Sequence, residues 1–239
     1  MRVVILFRGF AFGGIERYVF AIAEGLSRRG VPWEIWHPDP VFVSKMLTRN
    51  TQCAEGGSVV ALDVAGPADH PWRQFCTARR RFCSLKDRFS LLTNESTPGL
   101  FAAAALAART SGARRIVNVT HWIGDECANQ WSGGAIGLWK TRPFARMQTV
   151  ASASSACVTP SMFAGRALVD RFRVPARKVH VIPHGVPPSL HASRGSGRVP
   201  DLLFVGRLSP EKGLDVLLRA LALLPEGLPF HLTVAGDGP

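Results

Sequence analysis

"LLFVGRLSPEKGLDVLLRALALL", residues 202–224, holds a strand, a turn and a helix in succession. Leu202–Val205 is a short apolar run, the pattern of a strand covered on both faces. Ser209-Pro210 marks a turn. Leu214, Leu217, Leu218 and Leu221 then recur at helical spacing and predict a helix over roughly 212–224. Phe230–Ala235 supplies a second strand, so the stretch opens a β-α-β unit. The turn itself is chemically odd. Arg207 stands at the strand end and Lys212 at the helix start, where the helix already carries partial positive charge. Cations there suit a site that receives an anion. A planar guanidinium fork and an ammonium point charge would serve a diphosphate without a metal, and the chain has no D-x-D pair. The alternative is two solvated cations, one of them paired with Glu211.

The same alternation runs upstream. Strands are expected at Val3–Phe7, Trp33–Trp36, Val59–Leu62, Phe89–Thr93, Ile116–Thr120, Ala156–Thr159 and Val179–Ile182. Helices are expected over 15–29, 97–109 and 161–173. Val19, Ile22, Ala23 and Leu26 form the apolar face of the first, Gly30 stops it, and Ser161 caps the third. This predicts a doubly wound parallel sheet over residues 1–183, a Rossmann-like domain. A polar, Gly- and Pro-rich linker follows over 184–200. A second Rossmann-like domain begins over 201–239, where two strands and one helix are too few to bury a two-sided sheet. The expectation is a C-terminally truncated chain.

Composition narrows the function classes. Hydrophobic residues at 46% and charged residues at 19% exclude a disordered chain. The net charge is +12, from 29 Lys+Arg and 17 Asp+Glu. From residue 186 onward there are 5 of each, which leaves 24 against 12, the whole excess, in the first segment. A basic surface of this kind suits an anionic membrane or an acidic substrate, or is merely a solvated arginine-rich face. Nucleic acid is not expected, because aromatic and basic residues do not interleave on one strand face. Five cysteines at 53, 76, 83, 127 and 157 have no metal-site spacing and read as reduced thiols. No apolar run is long enough to span a bilayer, and "MRVVILF" reads as a first buried strand rather than a leader.

Two further stretches bear on chemistry. In "FRGFAFGGIERYVF", residues 7–20, Gly13-Gly14 open a helix after a buried strand, which lets backbone N–H groups approach an anion. On this stretch alone a tight turn explains the glycines as well. In "VNVTHWIGDE", residues 117–126, His121 and Trp122 leave a strand at its carboxyl end, where ligands bind in such sheets. His121 could meet a sugar hydroxyl or a developing charge, and Trp122 could stack on a ring. A structural histidine and a hydrophobic plug are the plain alternatives. Asp125 and Glu126 fit a solvated helix cap.

Three motifs in this order, "GGIERYVFAIAEGLSRRG", "CVTPSMFAGRALVDRFRVPARKVHVIPHGV" and "LLFVGRLSPEKGLDVLLRALALL", resemble the GT-B glycosyltransferases of family 4. The resemblance covers nearly the whole chain. It implies two Rossmann-like domains about a cleft, a nucleotide-diphosphate-sugar as donor substrate, no cofactor, and retaining, metal-independent transfer. By the same resemblance Arg207 and Lys212 match the pair that neutralises the donor diphosphate. Gly14 matches the glycine at the donor phosphate, and His121 the histidine beside the transferred sugar. Gly13, Glu16 and Trp122 fall on the acceptor side. The implied acceptor is a lipid-linked or polysaccharide intermediate, with the chain cytoplasmic and peripheral at the inner face of the membrane. The chain departs from the pattern at His184, where asparagine is usual, and at Thr93-Asn94-Glu95, where a histidine is usual. A GT-B-like nucleotide-sugar epimerase or phosphorylase and a basic non-enzymatic binding protein are the competing readings.

Overall fold

The computed structural model describes residues 1–7, 14–49, 56–62, 71–94, 98–121, 143–185, 201–225 and 227–238. The chain divides into two compact units, Met1–Gly185 and Val186–Pro239.

The first unit is a seven-stranded, all-parallel sheet in the order β3-β2-β1-β4-β5-β6-β7. Its strands are β1 (Arg2–Phe7), β2 (Trp33–His37), β3 (Gly57–Ala61), β4 (Phe89–Asn94), β5 (Ile116–Val119), β6 (Ala156–Thr159) and β7 (Val179–Val181). Each expected strand is present, within two residues at either end. The helices are α1 (Gly14–Ser27), α2 (Pro40–Arg49), α3 (Pro71–Cys83), α4 (Pro98–Thr110), α5 (Pro143–Ala153) and α6 (Met162–Asp170). Sequence periodicity missed α2, α3 and α5. Each of them begins with proline, as α4 does. Proline suits the first helical position because its missing N–H is one that the helix cannot use.

Strand alternation builds a core on each face of the sheet. Val4 and Leu6 of β1 join Leu91, Ala78, Phe82 and the alanine-rich α4 on one side. Ile5 and Phe7 join Val19, Ala23, Trp33, Ile35 and Phe42 on the other. Small side chains let α4 lie close against both α3 and α5, and six of its alanines are buried. The expected ends of α1 and α6 are present. Gly30 adopts φ 63°, and Val31 N donates to Leu26 O at 3.0 Å. Ser161 caps α6 by accepting from Ala164 N at 3.2 Å. Lys178, just before β7, places its ammonium on the C-terminal end of α5, donating to the carbonyls of Ala151 (3.0 Å), Ser152 (3.4 Å) and Ser154 (2.9 Å).

The second unit contains β8 (Asp201–Val205), a 3-10 turn at Pro210–Lys212, α7 (Leu214–Ala222) and β9 (His231–Ala235). β8 and β9 pair in parallel. Leu203 and Val205 share one face of this two-stranded sheet and are 66% and 71% exposed. Among the described residues, no helix is long and apolar enough to cross a membrane.

Candidate active site

The strand order of the first unit reverses between β1 and β4, and the carboxyl ends flanking that point form the usual ligand crevice of such a sheet. Polar residues sit there without exposure to water. Thr93, Asn94, Asn118, Thr120 and Thr159 are each 0% exposed at the ends of β4, β5 and β6. Thr93 Oγ1 donates to Asn118 Oδ1 at 2.8 Å, and Asn118 Nδ2 to Thr120 Oγ1 at 2.9 Å. Buried polar groups are costly unless paired, so this ladder rigidifies the rim rather than stabilising the core.

His121 follows directly. Thr120 N donates to Val158 O at 2.8 Å, which fixes the chain where it leaves β5. The half-buried His121 ring lies between two partners. Its Nε2 meets Asn94 Oδ1, and its Nδ1 lies 3.2 Å from His184 Nε2. The two imidazoles are nearly parallel, with centroids 5.0 Å apart and planes at 22°. Tyr18 of α1 sets its ring edge-on to both, at 4.8 Å from each. Burial, and then the charge of His184, lower the His121 pKa from its ordinary 6.5 to about 4. Burial raises that of the Tyr18 phenol. At neutral pH this corner is therefore uncharged at both groups.

Gly14 is the first residue of α1 and is exposed. A Cβ built there meets nothing within 4 Å. Neither backbone conformation nor packing among the described residues demands glycine. Glu16 is 4% exposed in the first turn, where a carboxylate complements the helix N-terminus. Gly13, Trp122, Asp125 and Glu126 lie outside the described residues. The structure thus groups Asn94, Tyr18 and His184 with His121. The sequence reading had noted Asn94 and His184 only as departures, and it had not singled out Tyr18. The place of Asn94 at a strand end and of His184 in the segment leaving β7 was the available signal.

In the second unit the paired strands continue past their formal ends. Gly206 N donates to Ala235 O at 3.1 Å and Leu208 N to Asp237 O at 2.9 Å. A Cβ at Gly236 would overlap the Gly206 carbonyl, so glycine is obligatory at that approach. Arg207 and Lys212 are both exposed. The expectation that Lys212 begins the helix needs correction. Pro210 starts a 3-10 turn, Gly213 turns left-handed at φ 69°, and α7 begins only at Leu214. Lys212 therefore stands just before the helix, and Asp215 occupies its first turn. Among the described residues no three His, Cys, Asp or Glu side chains cluster as metal ligands. Cys76, Cys83 and Cys157 form no disulfide.

Comparison with known proteins supplies the family. Two curated relatives carry the name D-inositol 3-phosphate glycosyltransferase. The one from Kineococcus radiotolerans is 26% identical across 92% of this chain and 54% of its own length. The one from Stackebrandtia nassauensis is 38% identical over 114 residues, 41% of this chain and 26% of its own length. The chain thus spans at most about half the length of these relatives. Among solved structures, a glycosyltransferase from Rickettsia africae superposes with a TM-score of 0.68 at 17% identity, over 99% of this chain and 60% of that one. An Anabaena protein crystallised with UDP and glucose gives 0.65 at 17% identity, over 100% and 62%. At that identity the likeness establishes the GT-B fold alone. Residues 190–239 match the model for glycosyl transferases group 1, and residues 12–190, most of the chain, match that of Glycosyltransferase Family 4. The parallel sheet of the first unit and the strand, turn and helix that open the second are thus those of a chain that belongs to glycosyltransferase family 4.

Proposed function

We propose that this chain takes part in moving a sugar from a nucleoside diphosphate donor to an acceptor hydroxyl. The observation that carries this reading is the turn after β8. Two exposed cations, Arg207 and Lys212, bracket a strand end whose glycines at 206 and 236 bring backbone together. Departure of a nucleoside diphosphate concentrates negative charge on its phosphates. A guanidinium and an ammonium fixed beforehand stabilise that charge as it develops. The two cations take the part a metal would otherwise play, so the reaction is assigned as metal-independent, and chelators should leave it unchanged; its assignment as retaining is carried over from the resemblance to family 4.

Residues of the first unit are assigned by the resemblance to family 4. Gly14 would offer the N-terminal N–H groups of α1 to a donor phosphate. His121 stands at the transferred sugar as a neutral ring, which adds no like charge to an oxocarbenium-like transition state. Gly13, Glu16 and Trp122 are assigned to the acceptor. A lipid-linked or polysaccharide acceptor at an anionic, cytoplasmic membrane surface is supported by α3. That helix exposes Trp72, Arg73, Arg79 and Arg80 together, an aromatic and basic combination suited to the interface. The names of the curated relatives favour a second acceptor class, a soluble inositol phosphate.

The test is calorimetric titration of the 239-residue chain with UDP, GDP and ADP. Arg207→Ala and Lys212→Ala should each weaken the preferred nucleotide about 10- to 100-fold, as expected for loss of a charge-assisted hydrogen bond. Equal affinity in both variants would remove the basis of the assignment. Radiolabelled transfer to inositol 3-phosphate and to lipid extract separates the two acceptor classes.

A further inference from the structure

We propose that His184 is a positioning residue that acts through His121, donating its Nε2–H to His121 Nδ1 and locking that ring as the Nε2–H tautomer on Asn94. The proposal deepens the glycosyltransferase reading and rests on it for its catalytic meaning. The geometry follows from the hydrogen-bond inventory. Asn94 Oδ1 is an acceptor only, so the His121 Nε2 that meets it must carry hydrogen. In the neutral ring Nδ1 is then bare and can only accept. Its partner is His184 Nε2 at 3.2 Å, which must therefore donate. The bond order runs from His184 to His121 to Asn94 without a reversal.

Packing holds this line in place from four sides. Asn94 is 0% exposed at the end of β4, and His121 leaves β5 under the Thr120 backbone bond. His184 arrives from the end of β7, and Tyr18 of α1 closes the side, its ring at 80° to His121 and 62° to His184. Among the described residues, the titratable groups facing His121 are Tyr18 and His184; Asn94 adds no charge. Asn94 Nδ2 is buried and has no hydrogen-bond partner among the described residues. It is a donor held ready beside the imidazole, where a sugar or phosphate oxygen would satisfy it.

The arrangement assigns His121 a definite part. Both ring nitrogens are engaged within the protein, so His121 serves as a fixed neutral dipole and not as a proton donor. The lowered pKa agrees, since the ring stays neutral down to about pH 4.

The experiment is a long-range proton–nitrogen correlation on the 239-residue chain with 15N-labelled histidine, from pH 4 to 8. The parent should show His121 as one tautomer, Nε2–H. His184→Gln replaces the donor with an amide and should keep that tautomer. It also removes the neighbouring charge, so the His121 midpoint should rise above about 4. His184→Phe keeps a ring beside Tyr18 but has no donor, and the nitrogen shifts should move toward the average of both tautomers. Tryptophan fluorescence checks that each variant is folded. Should the phenylalanine variant fail to fold, His184→Ala replaces it. An Nδ1–H tautomer in the parent, or unchanged nitrogen shifts in the donor-less variant, overturns the proposal. No nucleotide is present in this measurement. Failure of UDP, GDP and ADP to bind would count against the glycosyltransferase reading and leave the tautomer result standing, and the converse holds equally.

Discussion

Replacing Lys178 by methionine tests what fastens the last strand of the first sheet. The ammonium serves three carbonyls, those of Ala151, Ser152 and Ser154, at 3.0, 3.4 and 2.9 Å. These belong to the end of α5, where carbonyls lack helical partners and the helix dipole is negative. Methionine keeps most of the apolar stem and removes all three donors. A hydrogen bond to a charged group contributes about 1.5–3 kcal/mol when its partner is then left dry. Here the carbonyls lie near the surface and water can take over part of their bonding, so the three do not add. The expected loss is about 2 kcal/mol. Urea unfolding followed by tryptophan fluorescence measures it. All six tryptophans, at 33, 36, 72, 122, 131 and 139, precede residue 186, so the signal reports the first unit alone. The midpoint should fall without a change in slope, since the surface exposed on unfolding is unchanged. Lys178→Arg should recover part of the loss. A methionine variant within about 0.5 kcal/mol of the parent, the range of an ordinary surface substitution, would refute this account of the contact.

The other expectations concern pH and two glycines. Below pH 6.5 the unfolded chain protonates His121 while the folded ring refuses the proton until about pH 4. Stability present at neutral pH is therefore lost across that window, by about 2 kcal/mol once the partly solvated ring is discounted. His121→Gln should lack this share of the loss, and identical urea midpoint shifts between pH 7 and pH 4 in both chains would contradict it. Gly57→Ala should cost about 2 kcal/mol in the same assay, because the added methyl overlaps the Trp33 ring; an unchanged midpoint would show that the ring moves freely. Gly14→Ala should leave stability within about 0.5 kcal/mol, since its Cβ meets none of the described residues, yet weaken nucleotide binding. Unaltered binding there would count against α1 as a phosphate site.

The strands were legible because a parallel sheet covered on both faces needs unbroken apolar runs, and Val3–Phe7 or Ile116–Val119 can hardly be anything else. Three helices were not. "PWRQFCTARRRFC" carries so many arginines that its buried stripe of Gln74, Ala78 and Phe82 is thin, and it is stabilised by packing against α4. The prolines at 40, 71 and 143 were the readable starts. At the site, His121 was legible from its place after an apolar strand. Its partners were not, because Tyr18, Asn94 and His184 are distant in sequence and only the strand order makes them neighbours. The position of Lys212 was misread because a left-handed Gly213 resets where the helix begins, and apolar spacing carries no sign of that.

The contact between His184 and His121 joins residues 63 apart, and that between His121 and Asn94 joins residues 27 apart. The first needs β5 and β7 in place and the second β4 and β5, so the complete line forms only when all three are in register. Such non-local pairings repay their loop-closure entropy only late in folding. The imidazole is therefore an internal clock for the sheet. In a refolding experiment its single-tautomer signal should appear after helical ellipticity and with the slowest phase of sheet assembly. A chain that can present this ring has, by that fact, already finished building the half of the domain that surrounds it.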